Sequence, residues 1–149
     1  MIMKKNFLLL LMLLMATICH GQIEKIIGEW YSIDDEINEP VSIVKIFKAT
    51  NGKYYGKIVR ITYPGYENAI CEKCKGELHG KPMKGMTIIY DMVYDAEKQR
   101  LGGGKVLDPN NGKFYYGFIW YDVKKGKLIL RGSLDSHGIL GRSQEWQKL

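Results

Sequence analysis

Beyond residue 21 the sequence lacks a helical apolar stripe and a second long hydrophobic run. Apolar residues do not recur there with a 3.6-residue period over any useful length, so we predict no substantial helix. No segment approaches the roughly 20 apolar residues that a membrane-spanning helix needs. The sequence therefore predicts a mature protein without a transmembrane helix.

Residue patterns for two functional classes are also missing. Ser133, Ser136 and Ser143 have no nucleophile-elbow context, and no acid–base–nucleophile set emerges. We therefore predict a protein that is not an enzyme and uses no cofactor. The 22 basic and 16 acidic side chains are interspersed, and no basic stripe marks a nucleic-acid surface. Nucleic acid is not an expected partner.

The N-terminus has the layout of a secretory signal peptide. Two lysines precede an apolar core at 7–18, and small residues follow. This core is too short to cross a bilayer. Cleavage after Gly21 would separate a leader, 1–21, from a single domain, 22–149, which is long enough for a real core. The sequence thus predicts an exported protein, located in the periplasm or outside the cell.

Cys19 leaves a second interpretation of the leader open, in which this cysteine becomes a lipid-modified N-terminus. Bacterial lipidation prefers a small residue immediately before the cysteine, and Ile18 is large. Cleavage after Gly21 is therefore favoured, and it removes Cys19 from the mature protein.

The rest of the chain is rich in tyrosine, isoleucine, valine and glycine, in short runs separated by turn residues. These runs alternate with period two, which is typical of β-strands. Sequences such as ThrAsnGly at 50–52 and AspProAsnAsnGly at 108–112 indicate tight turns between them. The predicted strands are Gly28–Ile33, Val41–Ala49, Lys53–Thr62, Met86–Asp95, Arg100–Leu107, Lys113–Val123, Lys127–Leu134 and Leu140–Lys148.

Eight consecutive strands without a covering helix must protect their edges. Closure into an antiparallel up-and-down β-barrel, with one long loop at 63–85 between strands three and four, does so most simply. Such a barrel encloses side chains or one small ligand. The predicted class is therefore all-β.

Two residues favour a lipocalin-like, or calycin, barrel. Trp30 lies in a Gly-x-Trp motif at the start of the first strand, and Arg142 lies in the last strand. In calycin barrels the indole closes one end against an arginine of the final strand, held by cation–π attraction. The resemblance implies that Trp30 and Arg142 close this barrel.

Six segments in order along the mature chain form a more specific pattern. They are YYGKIV (54–59), CEKCKG (71–76), PMKGM (82–86), GGKVLDPNNGKFY (103–115), KLILRG (127–132) and GRSQEW (141–146). This pattern resembles a secreted bacterial family catalogued as domain of unknown function 2147. Leu101 departs from it, since members often have tryptophan there. The resemblance implies a fold and an exported location and supplies no catalytic residues.

Cys71 and Cys74 lie in the long predicted loop, with His79 nearby. In an oxidising compartment an isolated pair is expected to form a disulfide, which would stabilise the loop. A zinc site with Cys71, Cys74 and His79 stays open as a weaker alternative, because it needs a fourth ligand. A redox pair stays open as well, although no helix is predicted to lower a thiol pKa.

Aromatic residues suggest a ligand. Tyr54, Tyr90, Tyr116, Phe118 and Trp120 are candidates for the lining of a cavity. We predict non-enzymatic binding of a small apolar or amphipathic molecule, with the loop over the barrel mouth. The alternative is a protein-interaction or envelope-structural domain that uses the aromatic face or the stapled loop. Asp91, amid apolar residues, is expected to form a buried ion pair.

Overall fold

A computed structural model describes residues 21–149 of the protein. The predicted leader and Cys19 lie outside this range, apart from Gly21. Within it, no helix is both long enough and apolar enough to cross a membrane.

Eight antiparallel strands close into a barrel in which each strand pairs with its sequence neighbours and β8 pairs with β1. The strands are β1 (Gly28–Asp34), β2 (Glu39–Lys48), β3 (Tyr54–Ile61), β4 (Thr87–Asp95), β5 (Arg100–Asp108), β6 (Lys113–Asp122), β7 (Lys127–Ser133) and β8 (Gly141–Lys148). The predicted all-β, up-and-down architecture is confirmed. Each predicted strand is present, with ends shifted by only a few residues.

A short helix, α1 (Gly21–Ile26), precedes the barrel and was not predicted. Its six residues are too few to show a helical period, which is why the pattern analysis missed it. Ile23 and Ile26 are buried, and the helix packs on β6. A single 3-10 turn at Gly76–Leu78 lies in the long loop.

The strand connections divide the barrel into two ends. The floor is the end that carries α1 and the short turns β2–β3, β4–β5 and β6–β7. The mouth is the opposite end, with the turns β1–β2, β5–β6 and β7–β8 and the long β3–β4 loop, residues 62–86, which we name the lid. Most of the short turns begin with an aspartate that accepts backbone N–H bonds, as Asp34 and Asp122 do.

Trp30 closes the floor from inside. Its side chain is fully buried, and its Nε1 donates a 2.8 Å hydrogen bond to the Ile26 carbonyl oxygen of α1. The ring of Tyr121 lies 6.1 Å away, centroid to centroid. Because the indole N–H has its acceptor in α1, this large ring is buried without leaving a donor unpaired.

The cation above Trp30 is Lys148, whereas Arg142 was expected. The Lys148 Nζ atom lies 4.4 Å from the Trp30 ring centroid. Arg142 sits at the mouth, at the other end of β8, with 71% of its side chain exposed. Gly28 makes the Lys148 position possible, because a Cβ on it would lie 2.6 Å from Lys148 Nζ. The implied role of Arg142 in closing the barrel is therefore wrong.

Candidate functional site

A cavity of about 1380 Å³ extends from the middle of the barrel to the mouth. All four mouth connections contribute lining residues, among them Ile37, Tyr66, Pro109 and Leu140. The floor half of the interior is filled instead by buried side chains such as Trp30, Met92, Leu101, Ile119 and Leu128. The barrel is thus solid at one end and hollow at the other.

The aromatic residues predicted to line this cavity do not line it. Tyr116, Phe118 and Trp120 of β6 face outward, since the intervening Gly117, Ile119 and Tyr121 pair with the inward residues of β7. Successive strand residues alternate between faces, so a choice of the wrong parity misplaces the whole set. Tyr54 is buried near the floor, where it pairs with Met92.

Tyr90, the fifth predicted lining residue, borders a separate, smaller outer groove with Leu78 and Phe114. Its hydroxyl donates to the Thr87 carbonyl oxygen at 2.6 Å. Burial raises the pKa of the Tyr90 phenol. Residues that do line the main cavity are aliphatic, polar and aromatic, including Ile58, Ile88, Val106, Tyr115, Leu130 and Trp146.

Polar groups deep in the cavity satisfy one another. The Ser32 and Ser42 hydroxyls are 2.6 Å apart on adjacent strands. Gln144 accepts a hydrogen bond from Trp146 Nε1 through Oε1 and donates through Nε2 to the Asp35 carboxylate. Since these groups are already paired, a ligand in the deep part gains little from offering them polar atoms. The deep part of the cavity, which we name the deep chamber, therefore favours the apolar groups of a ligand.

The mouth carries polar groups with more spare capacity. Asp108 Oδ1 accepts from the Asn110 backbone N–H, and its Oδ2 accepts from Asn111 Nδ2. Asn111 Nδ2 also donates to the Tyr115 hydroxyl oxygen at 3.0 Å. Arg142 Nη2 lies 4.0 Å from Asp108 Oδ2, beyond hydrogen-bonding distance. The guanidinium therefore enters the mouth without a hydrogen-bonded acceptor among the described residues.

A disulfide joins Cys71 and Cys74 within the lid, as we predicted for this isolated cysteine pair. Both residues are buried, and both sulfurs are used by the bond. The zinc alternative therefore loses its two thiolate ligands, and His79 Nδ1 instead lies 3.1 Å from the Cys74 carbonyl oxygen. Within 21–149 no group of three or more potential ligands could hold a metal ion.

The disulfide segment of the lid rests on the β5–β6 turn. Cys71 Sγ lies 3.5 Å from the Pro109 carbonyl oxygen. Gly112 has φ +70°, and a Cβ there would lie 1.9 Å from the Lys73 carbonyl oxygen. Only glycine combines this φ with so close an approach to the lid backbone. The sequence at 108–112 therefore specifies both a turn and a seat for the lid.

Exposed apolar residues surround the mouth. They lie on three of its connections, and we name them the rim: Ile37, Tyr66, Ile70, Leu134, Ile139 and Leu140. Five of the six, all but Ile139, also line the cavity. The apolar interior is therefore continuous with apolar surface at the entrance.

Asp135 shapes the β7–β8 part of the rim. Its carboxylate accepts hydrogen bonds from the Ser133 hydroxyl and from the backbone N–H groups of Leu140, Ile139 and His137. The bond from Ser133, followed by those from the backbone, holds the pKa of Asp135 well below its usual range. His137 therefore lies in an aspartate-organised turn.

Asp91 does not form the buried ion pair that its apolar neighbours suggested. More than half of its side chain is exposed, and it accepts a 2.6 Å hydrogen bond from the Tyr55 hydroxyl. Lys53 Nζ lies 3.6 Å away. Asp91 has a φ of +54°. This backbone irregularity turns the Asp91 side chain outward between Ile89 and Met92, which both point inward. Strict alternation of side chains between the two faces therefore does not hold at this point of β4.

Comparison with known proteins supports the same architecture. A family model described as "Uncharacterized protein conserved in bacteria (DUF2147)" matches residues 28–148. A solved structure described as protein HP1028 from the human pathogen Helicobacter pylori, of the lipocalin family, aligns with a TM-score of 0.70 at 23% identity. The alignment covers 83% of this chain and 82% of that chain. At this identity the likeness shows the fold alone. No curated protein matches.

Proposed function

We propose that this chain, which belongs to the uncharacterized bacterial family DUF2147, is an exported, non-enzymatic binding protein for a small apolar or amphipathic molecule. The observation that carries the proposal is the unfilled mouth half of the barrel, about 1380 Å³ in volume. Ligand pockets typically measure about 300–1,000 Å³, so the space is ample for one small molecule.

The surroundings of the cavity favour a binding role. The floor is closed by Trp30 and α1, so molecules enter and leave at the mouth. The apolar rim and the aliphatic lining from Ile58 to Leu130 suit an apolar ligand. The lid, held by its disulfide against the β5–β6 turn, supplies part of the lining through Ile70 and Met83. A disulfide is also the bond expected of an exported protein.

A neutral fluorophore tests the proposal directly. N-phenyl-1-naphthylamine emits strongly when it leaves water, and we expect saturable binding to the folded protein. Gly132 lines the cavity, and a Cβ there would find ordinary contact distances, 3.5 Å to Tyr115. Gly132→Val should therefore fill part of the space without unfolding the barrel and should weaken binding of the fluorophore.

Gln147→Val is the matched control, because it places a valine at an exposed position on the outer face of the neighbouring strand β8. It should leave binding unchanged. Equal affinity of all three proteins for the fluorophore, or no binding by any of them, would refute the cavity as the site. Native mass spectrometry of the exported protein would then identify any retained ligand and locate the mature N-terminus predicted at Gln22.

A second candidate function is protein interaction through the outer face of β4–β6. Phe114 and Tyr116 of β6 and Val93 of β4 are exposed there, and the Phe114 and Tyr90 rings are in contact. Replacement of Phe114 and Tyr116 by serine should abolish such an interaction and leave fluorophore binding intact. Size-exclusion chromatography of the exported protein with its cell-envelope extract, before and after this change, distinguishes the two functions.

A further inference from the structure

We infer that the preferred ligand is a single-chain amphiphile with an anionic head group, held with the head at Arg142 and the apolar chain in the deep chamber. This inference rests on the proposed function and specifies its ligand. It follows from the unequal way in which the acidic and basic side chains of the cavity are already engaged.

The lining contains three carboxylates and three cations: Asp34, Glu72, Asp108, Lys73, Lys113 and Arg142. Two of the carboxylates already accept hydrogen bonds within their own turns. Asp34 accepts the backbone N–H groups of Glu36 and Ile37, and Asp108 is held by Asn110 and Asn111. Each of these carboxylates is oriented by bonds within its own turn and is therefore less free than an unbonded side chain to turn toward a ligand cation.

The three cations are not engaged in this way. Within 21–149, the side-chain nitrogens of Lys73 and Lys113 have no hydrogen bond or ion pair, and Arg142 has only its 4.0 Å contact with Asp108. A guanidinium carries five donors arranged to match a carboxylate or phosphate in a bidentate pair. Arg142 is therefore the strongest unmatched hydrogen-bonding group at the mouth.

The position of Arg142 directs those donors toward the entrance of the cavity. Arg142 pairs with Gly132 across β7 and β8, and its parity on β8 is that of Gln144 and Trp146, which face inward. Gly132 has no side chain to fill the space beside it. The Tyr115 hydroxyl, which accepts from Asn111, retains its own proton as a further donor.

The deep chamber sets the other half of the ligand. Its hydroxyl and amide groups are paired among themselves, as Ser32 is with Ser42 and Gln144 is with Trp146. Aliphatic residues such as Ile58 and Val106 supply the rest of the wall. A head group fixed at Arg142 therefore places a linear apolar chain along the barrel axis toward Trp146.

Displacement of N-phenyl-1-naphthylamine by four C12 compounds tests the inference: dodecanoate, monododecyl phosphate, dodecanol and dodecyltrimethylammonium. They share one tail and differ in head group. We expect the two anions to bind about tenfold more tightly than dodecanol, the scale of one partly exposed charge-assisted hydrogen-bonded pair, and the cation to bind most weakly. The ratio of the two anions distinguishes a carboxylate source from a phosphate source.

Arg142→Gln should remove the advantage of dodecanoate over dodecanol and leave dodecanol unchanged. Added salt should reduce the same advantage in the unmodified protein. Lys124→Gln, in the floor turn β6–β7, is the charge-matched control and should change nothing. Glu72→Gln removes the lining carboxylate that has no described partner and should raise dodecanoate affinity.

Equal affinity for dodecanoate and dodecanol, or an advantage that survives in Arg142→Gln, would overturn the inference while leaving the proposed function intact. Failure of the fluorophore and of every C12 compound to bind overturns both. Arg142 is largely exposed, so we expect the variant to fold, and its unfolding temperature verifies this.

Discussion

The floor and the mouth of this barrel are built from the same eight strands but use their side chains differently. At the floor, Trp30, Trp146, Leu101 and Leu128 fill the interior and leave no large space, and α1 covers them. At the mouth, apolar residues of the rim are exposed around a cavity. The floor therefore supplies packing energy, whereas the mouth presents an open cavity and depends on the lid for order.

This contrast explains where glycine, cysteine and charge are needed. At the floor, Gly28 lets Lys148 cross the indole. The mouth needs Gly112 and a disulfide because the lid has few strand pairings, with one isolated bridge between Ile70 and Pro82 in the described chain. Long irregular segments require such local fastening.

The largest effect is expected when the floor loses its plug. Trp30→Ala removes a fully buried ring and its hydrogen bond to α1, which should lower the free energy of unfolding by about 3–5 kcal/mol. Trp120→Ala, on the partly exposed outer face of β6, is the control and should cost much less. Denaturant unfolding followed by tryptophan fluorescence measures both, and similar losses would contradict the assignment of Trp30 as the floor plug.

Gly112→Ala should destabilise the seat of the lid at the mouth. A non-glycine residue in the left-handed region costs about 1–2 kcal/mol, and collision with the Lys73 carbonyl adds to that cost. Gly52→Ala at the floor is the matched control, since Gly52 has φ +82° but open space around its Cβ position. The difference in unfolding free energy between the two variants measures the lid contact. Trypsin should also cleave the lid of Gly112→Ala faster.

Removal of the disulfide should affect the mouth more than the floor. For a ring of four residues the loop-entropy relation gives about 2 kcal/mol as an upper value. Cys71→Ser with Cys74→Ser should accelerate hydrogen exchange in the lid and weaken fluorophore binding, with little change near Trp30. Uniformly faster exchange over the whole barrel would show instead that the staple supports the entire fold.

Removal of the positive charge at either end of β8 should have a smaller effect on stability, and only the change at the floor should have one. Lys148→Gln removes the cation over the Trp30 ring, a contact worth about 0.5–1 kcal/mol where it is exposed. Arg142→Gln should leave thermal stability unchanged, because its side chain lies in the mouth and is largely exposed. A greater loss of stability from Arg142→Gln would restore that residue as the closing partner.

The smallest effect concerns acid stability. Asp135 at the mouth has a lowered pKa because of the Ser133 hydroxyl and three backbone N–H groups. Its folded-state pKa lies below the unfolded value of about 3.9, so ionised Asp135 stabilises the fold above that pH and loses this effect as the pH falls. Unfolding temperatures of Asp135→Asn should therefore match those of the unmodified protein only in acid.

Asp95→Asn gives the corresponding comparison at the floor. The backbone N–H of Lys98 is the main cause of the lowered pKa of Asp95, and the N–H of Glu97 adds to it. Asp95 accepts two backbone bonds where Asp135 accepts three and a hydroxyl bond. At neutral pH, Asp95→Asn should therefore lower the unfolding temperature less than Asp135→Asn does. The reverse order would contradict this account of the β7–β8 turn.

Local signals in the sequence predicted much of the fold correctly. Turns such as 108–112 depend on a glycine at positive φ and on aspartate side chains that bond their own backbone, so they can be recognised without tertiary contacts. Period-two runs between them located all eight strands. The disulfide was predicted from the expected oxidising compartment and from the presence of one cysteine pair after the leader. The short helix α1 had no such signal, because six residues cannot show a period.

The candidate site was predicted less well, for a reason visible in β6. Phe114, Tyr116, Phe118 and Trp120 alternate with Tyr115, Ile119 and Tyr121, so both faces of this strand are apolar. Alternation then cannot indicate which face points inward. We predicted that Tyr116, Phe118 and Trp120 point inward, and the structure points them outward. The prediction for Arg142 was wrong for a similar reason, because the motif specifies a cation over the indole but the last strand contains two cations, Arg142 and Lys148.

The number of strands, their order and turns, and the cysteine pair can all be derived from the amino-acid sequence, because each depends on residues close together along the chain. The closed barrel was needed to show which side chains enter its interior, that Lys148 covers Trp30, and that Arg142 is left at an open mouth. Those outcomes depend on register between strands and on closure of β8 against β1, where a shift of one residue exchanges the two faces.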